Sequence, residues 1–192
     1  MIGRLLLPIG GLFILALFMG RKAAASEIPM KNSQPITPLA PSFTRYDALF
    51  KKYGQQFGVS WRLLKVIATI ESTLGENPRV ALGLRDPSNK ASVSYDNLSW
   101  GLMQLRVETA NDYEKGTTYA DLNNAETSIR IAAKFFAWIQ RQFPRTDSDW
   151  LKKVVMSYNQ GVAGTKRGYT GALPYWEKFQ KQMALLNDRQ PE

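Results

Sequence analysis

The chain has 192 residues, 44% of them hydrophobic, enough to bury one sizeable core, so one domain with an appendage is the expected organisation. It contains neither cysteine nor histidine. That removes disulfide staples, thiol nucleophiles, the serine–histidine triad and the usual imidazole-bound zinc hydrolase sites, and leaves carboxylates to run any hydrolytic or lytic chemistry. Net charge is +9, and the first 42 residues hold four Lys/Arg against one Glu, so six of those charges belong to the remainder. A basic surface suits nucleic acid, an anionic membrane or an anionic cell wall. No block of basic residues interleaved with aromatics occurs, so no nucleic-acid partner is expected.

Leu5 to Met19 is an almost unbroken apolar run, with Arg4 before it and Arg21-Lys22 after it. Counted from Met1 to Gly20, with Arg4 able to snorkel, it reaches the roughly 20 residues that a membrane-spanning helix needs. A basic start, an apolar middle and the small residues Ala23-Ala24-Ala25-Ser26 also fit a cleaved secretory signal. The basic pair directly after the apolar run stands where a stop-transfer signal would, which favours an uncleaved transmembrane anchor over residues 1–22. The flanking charges slightly favour a cytoplasmic C-terminal side, at odds with an extracytoplasmic substrate unless insertion is unusual, as in a virus-borne membrane. Residues 23–42 carry Pro29, Pro35, Pro38 and Pro41 and read as an extended, semi-rigid tether, or as plain disorder.

From Phe43 to Glu192 the pattern is that of one helical domain. Tyr46, Leu49, Phe50, Tyr53 and Phe57 follow helical spacing, and Gly58 stops the element. Ser60 is placed to cap the next helix, Trp61 to about Leu74, whose apolar stripe is Leu63, Ile67, Ile70 and Leu74. Gly75 to Leu98 reads mostly as loop, with room for a small hairpin over Leu82 to Val93. A turn opening at Gly101 continues as helix to Asn111. Asn124 is expected to cap a helix from Ala125 to Phe143, ended by Pro144, and Ser148 to cap the following one. Gly161, Gly164, Gly168 and Gly171 mark a flexible loop before a last helix with Trp176, Phe179, Met183 and Leu186. The fold class is all-α or α-dominant.

Glu71 lies four residues after Ile67 and so borders the apolar stripe instead of the solvent face. A carboxyl there is partly desolvated, which raises its pKa and lets it hold a proton near neutral pH. The plainer alternative is a surface glutamate near a helix end. Gln104 is costly to bury without partners, so a polar task is expected of it. Met103 and Leu102 suit the core as well as a ligand, and Tyr158 suits a core position with a satisfied hydroxyl as well as a site. Trp100, Tyr95 and Tyr175 are available to stack on sugar faces or to pack. Asp86 and Asp96 fall in the loop, where an aspartate usually forms a turn.

Glu71-Ser72, Gly101-Leu102-Met103-Gln104 and Ser157-Tyr158-Asn159, in that order, resemble the motifs of the soluble lytic transglycosylase domain family, which is related to goose-type lysozymes and has a lysozyme-like helical fold. The resemblance runs from about Val59 to Leu186 and includes Asp121-Leu122-Asn123 and Tyr175-Trp176-Glu177-Lys178-Phe179. It implies cleavage of the β-1,4 bond between N-acetylmuramic acid and N-acetylglucosamine in peptidoglycan, with 1,6-anhydromuramic ends and without water. In that reading Glu71 is the catalytic acid and then base. Ser72, Met103, Gln104, Asn159 and Tyr175 belong to the substrate site, and Tyr158 hydrogen-bonds the acid or the sugar beside it. No metal or cofactor is called for. Arg106-Val107 replace the family's common Met-Pro, which makes Arg106 a candidate partner for a stem-peptide carboxylate, and Ser157 replaces an alanine.

A hydrolytic muramidase stays open as an alternative, with Asp86 or Asp96 activating water, as does a non-catalytic wall-binding or assembly scaffold. The expected partners are peptidoglycan glycan strands, a membrane through the N-terminal segment, and secretion, conjugation or virion machinery. The expected location is the cell-wall side of a membrane, in the periplasm or envelope, or within a virion membrane.

Overall fold

Helices dominate the described residues, 41–76 and 99–191, of the computed structural model. All of them fall within the unit Pro38–Glu192. The expected anchor and most of the tether, the hairpin over Leu82 to Val93, and Tyr95, Asp86 and Asp96 lie outside the described residues. Among the described residues no helix is long and apolar enough to cross a membrane.

A single turn, α1 (Pro41–Thr44), leads into α2 (Asp47–Phe57). This helix buries Phe50 and Tyr53 and stops at Gly58, whose φ of 66° is the left-handed geometry that glycine adopts without a Cβ penalty. Helix α3 (Trp61–Ser72) starts as expected, with the Ser60 hydroxyl accepting from the Leu63 amide at 3.4 Å. It buries Leu63, Leu64, Val66, Ile67 and Ala68. Lys65 is buried with them because it meets Asp47 at 2.7 Å and donates to Gln190 Oε1 at 2.8 Å. Gln190 in turn donates to Asp47 at 2.9 Å, and its backbone carbonyl accepts from Arg62 at 2.6 Å. The C-terminal end of the domain is thereby clasped to α2 and α3, with every buried charge in that clasp given an opposite charge or a polar partner.

The stretch from Ser99 has the expected turn and helix but adds a strand pair that was not expected. Ser99–Trp100 (β1) and Leu105–Arg106 (β2) form an antiparallel pair, with Ser99 opposite Arg106 and Trp100 opposite Leu105. Two residues per strand are too few to show an alternating pattern, and the turn between them imposes the pairing. Gly101 has φ 74°, and a Cβ there would stand 1.8 Å from the Leu122 carbonyl oxygen, so only glycine lets this turn lie against the next segment.

Helix α4 (Val107–Tyr113) follows, then the single turn α5 (Tyr119–Leu122), closed by a reciprocal Thr118–Asp121 capping box. The central helix α6 (Ala125–Gln140) is capped by Asn124, as its sequence predicts, and buries Ile129, Ile131, Ala132, Ala133, Phe136 and Ile139. It ends at Gln140, three residues short of the expected Phe143.

Helix α7 (Trp150–Gln160) begins after Asp149, and the expected Ser148 cap is not the one used. The N-cap position is Asp149, which makes no side-chain cap bond; ahead of it the Asp147 carboxylate accepts from the Asp149 amide at 2.9 Å and the Asp147 carbonyl from the Trp150 amide at 3.0 Å. The expected glycine-rich loop contains a short helix, α8 (Val162–Lys166). Gln160 organises it, donating to the Tyr169 carbonyl at 2.9 Å and accepting from the Ala172 amide at 2.9 Å. The last helix, α9 (Leu173–Arg189), has Pro174 in its first turn and packs on α3 and α7 through Tyr175, Phe179 and Leu186.

Candidate functional site

The site is built around the turn Gly101–Gln104, and three helices hold that turn by its backbone. From α3, the Ser72 hydroxyl donates to the Leu102 carbonyl at 2.8 Å. From α6, Ser128 accepts from the Met103 amide at 3.1 Å. From α7, the Tyr158 hydroxyl donates to the Met103 carbonyl at 2.6 Å. The Tyr158 ring is fixed in turn by stacking on Phe136, with centroids 4.6 Å apart and planes 4° from parallel. The backbone of Gln104 closes the turn on Gly101 at 3.1 Å with φ of 48°, a left-handed geometry unusual for glutamine. Its side-chain amide also donates to the Gly101 carbonyl, at 2.9 Å. Such strain persists where the surroundings over-determine it, as they do here.

The same device ends α3. Thr73 and Leu74 take φ of 54° and 55° in succession. The Ser72 hydroxyl that holds Leu102 also accepts from the Gly75 amide at 3.0 Å. Glu71 therefore precedes a chain reversal that is stapled to the Gly101–Gln104 turn, and its carboxyl is half-buried at the cleft.

The cleft has a volume of about 740 Å³. Ser99, Gln104, Arg106, Thr109, Phe135, Tyr158, Asn159 and Gln160 line it together with Glu71. Among the described lining residues Glu71 is the one carboxylate and Arg106 the one cation.

Tyr175 of α9 donates its hydroxyl to Glu71 Oε1 at 2.5 Å. Burial pushes the Glu71 carboxyl up to about 7, against the opposing pull of the Tyr175 hydroxyl and the charge of Lys178. Burial also drives the phenols of Tyr175 and Tyr158 well above their ordinary value, and the nearby Glu71 charge adds to it, so both stay protonated donors. The arrangement holds a carboxylic acid that gains and loses a proton near neutrality, beside a phenol that stays protonated and donates to it. Among the described residues no cluster of three or more acidic side chains comes together to hold a metal ion.

The expected residues divide into two groups. Glu71, Gln104, Tyr158 and Asn159 line one cleft. Ser72 and Met103 are 1% and 0% exposed, so contact with a ligand is not open to them, and both act from beneath as supports of the turn. The hydroxyl that reaches the acid belongs to Tyr175, whereas that of Tyr158, expected to bond the acid or the sugar beside it, goes to the Met103 carbonyl. Tyr175 is itself buried, which leaves it no free face for stacking on a sugar. Ser128 was missed. A serine in the middle of an apolar helix face was the available signal, since a buried hydroxyl needs a partner.

Residues 48–179 match the family model described as the transglycosylase SLT domain. The chain is 33% identical over 124 residues to a membrane-bound lytic murein transglycosylase F of Marinobacter nauticus, covering 61% of this chain and 20% of that protein. It is 27% identical over 154 residues to the protein of that name from Actinobacillus succinogenes, covering 76% and 28%, and 26% identical over 166 residues to that from Mannheimia succiniciproducens, covering 81% and 29%. The matched part spans less than a third of the length of each of these relatives.

Proposed function

The chain belongs to the transglycosylase SLT domain family, and from that premise we propose that it is a peptidoglycan lytic transglycosylase with Glu71 as its catalytic acid and base. The observation that carries this reading is the half-buried Glu71 carboxyl, lifted to about 7 and oriented by the Tyr175 hydroxyl at the cleft.

The chemistry follows from one group that changes protonation state. Protonated Glu71 gives its proton to the glycosidic oxygen as the bond from C1 of the muramic residue breaks, and the electron pair leaves with that oxygen. The acetamido oxygen of the same sugar bonds to C1 and carries the positive charge. The C6 hydroxyl oxygen then displaces it, and its proton passes to the Glu71 carboxylate, which restores the acid. The product is a 1,6-anhydro end, no water is consumed, and no second carboxylate is required. A carboxyl poised near 7 is equally ready for both halves of this cycle.

Gln104 and Asn159 supply polar contacts to the glycan along the cleft, and Tyr158 lines it while its hydroxyl holds the turn. Residues 1–22 are read as a membrane anchor and 23–42 as the tether that delivers the domain 43–192 to the wall. The relatives' names, which specify membrane-bound enzymes, support that reading. Local opening of the wall for secretion, conjugation or virus entry is the corresponding biological task.

The test is mass spectrometry of muropeptides released from peptidoglycan by the full chain in detergent, with Glu71→Gln as control. The expected products carry anhydro ends, and Glu71→Gln lowers their yield about 10³-fold, the scale of a lost general acid–base. Reducing ends in their place indicate a hydrolase, and wall binding with no Glu71-dependent product indicates a scaffold. Either result overturns the proposal.

A further inference from the structure

Arg106 has no part in the chemistry described above, yet it lines the cleft that Glu71 lines. It sits on β2, opposite Ser99 of β1, and both residues face that space. The ladder and the pinned turn before it fix its backbone. Its guanidinium lies 3.9 Å from the carboxylate of Glu108, and those two side chains are 51% and 67% exposed. An ion pair of that separation and exposure contributes little. The groups that oppose the upward shift of Glu71 are Tyr175 and Lys178. Arg106 is the one cation among the described residues that line the cleft.

We infer that Arg106 is a specificity-determining residue that reads a carboxylate carried by the muramic residues of the glycan strand, an inference that rests on the function proposed above. The strand's sugars are otherwise neutral. Each muramic residue bears a lactyl ether that ends either in its own free carboxylate or in a peptide with carboxylates of its own. A guanidinium pairs with a carboxylate through two parallel hydrogen bonds, which fixes the position as well as the sign of its partner. An acid placed by Glu71 and an anion placed by Arg106 would register the strand in the cleft at two points.

The experiment measures kcat/KM of the full chain and of Arg106→Gln and Arg106→Lys on three soluble strands of matched length. One bears stem peptides with free carboxylates, one bears the same stems as carboxamides, and one is peptide-free with the lactyl carboxylate exposed. Arg106→Gln is expected to lower, about tenfold, the ratio of kcat/KM on one of the carboxylate strands to that on the carboxamide strand, which corresponds to about 1.4 kcal/mol. Arg106→Lys should keep most of that ratio, and added salt should erode it in the parent. Which strand loses its advantage identifies the stem or the lactyl group as the source. An equal loss on all three strands makes Arg106 a structural residue and overturns the inference, and so does no loss on any. If the parent chain cleaves none of the three in a Glu71-dependent way, the functional reading itself has failed, and the inference falls with it.

Discussion

Glu71 and Glu114 invite comparison because they start from similar positions. Glu71 is the next-to-last residue of α3 and Glu114 the residue just past α4. Both are partly buried, and both stand at a helix C-terminus, where the macrodipole disfavours a negative charge. Their titration nevertheless diverges: burial lifts Glu71 to about 7, whereas the Arg130 guanidinium pulls Glu114 down to about 2. Glu114 receives Arg130 through two hydrogen bonds of 2.8 Å and Lys134 through a third of 2.8 Å. Glu71 receives a neutral phenol, with Lys178 acting only as a charge. Burial penalises the charged form of each, and the partners decide the outcome. Two cations in contact hold a carboxylate ionised and tie α4 to α6, whereas a neutral donor leaves a carboxyl able to trade its proton.

The comparison can be broken first through stability. The folded-state pKa of Glu71 lies above its unfolded value, so the stability it contributes is present below about 4.5 and lost as pH rises through about 7. Glu71→Gln, which keeps an acceptor for Tyr175, should therefore be more stable than the parent at pH 8.5 by up to about 3 kcal/mol, with the gap closing in acid. Urea unfolding at two pH values checks this, and a gap independent of pH contradicts it.

Glu114 has the opposite sign. Its pKa is depressed, so its contribution is present above about 4.5 and disappears as pH falls through about 2. Glu114→Gln should cost about 1 to 2 kcal/mol at pH 7 after screening by solvent, and progressively less toward pH 2, in the same unfolding assay.

Tyr175→Phe removes a donor that holds the Glu71 pKa down. Activity should fall about tenfold from lost orientation, while the limb of the pH–rate profile that depends on the protonated acid moves to higher pH. A merely structural tyrosine would lower the rate without moving the profile.

The smallest effect concerns Ser157. Its Oγ is buried with no hydrogen-bond partner among the described residues. Ser157→Ala should stabilise the domain by about 1 kcal/mol or less, read as a rise in Tm.

Much of this domain could be read from local pattern, because local pattern is what caps and amphipathic stripes are made of. Ser60, Asn124 and Gly58 act within a few residues of themselves, and each behaves as its sequence neighbourhood predicts. The position of Glu71 at the edge of an apolar stripe was legible for the same reason. What was not legible depends on pairs far apart in the chain. The Tyr175–Glu71 bond spans 104 residues, and Tyr158 meets the Met103 carbonyl across 55. Which of two tyrosines reaches the acid is a matter of how α9 packs on α3 and α7, and no spacing within either segment encodes it. Ser148 and Asp149 show a finer limit. Both are good capping residues one position apart, and the helix starts after Asp149, behind a turn in which the Asp147 amide donates to the Pro144 carbonyl and its carboxylate accepts from the Asp149 amide.

The most direct test of the account is a carbon-13 NMR titration of the side-chain carboxyls in the full chain labelled at glutamate, with Glu71→Gln identifying one resonance and Glu114→Gln another. The account predicts a midpoint near 7 for Glu71 and near 2 for Glu114. A Glu71 midpoint in the ordinary range of 4 to 5 would leave the group ionised at neutral pH and contradict its assignment as the acid.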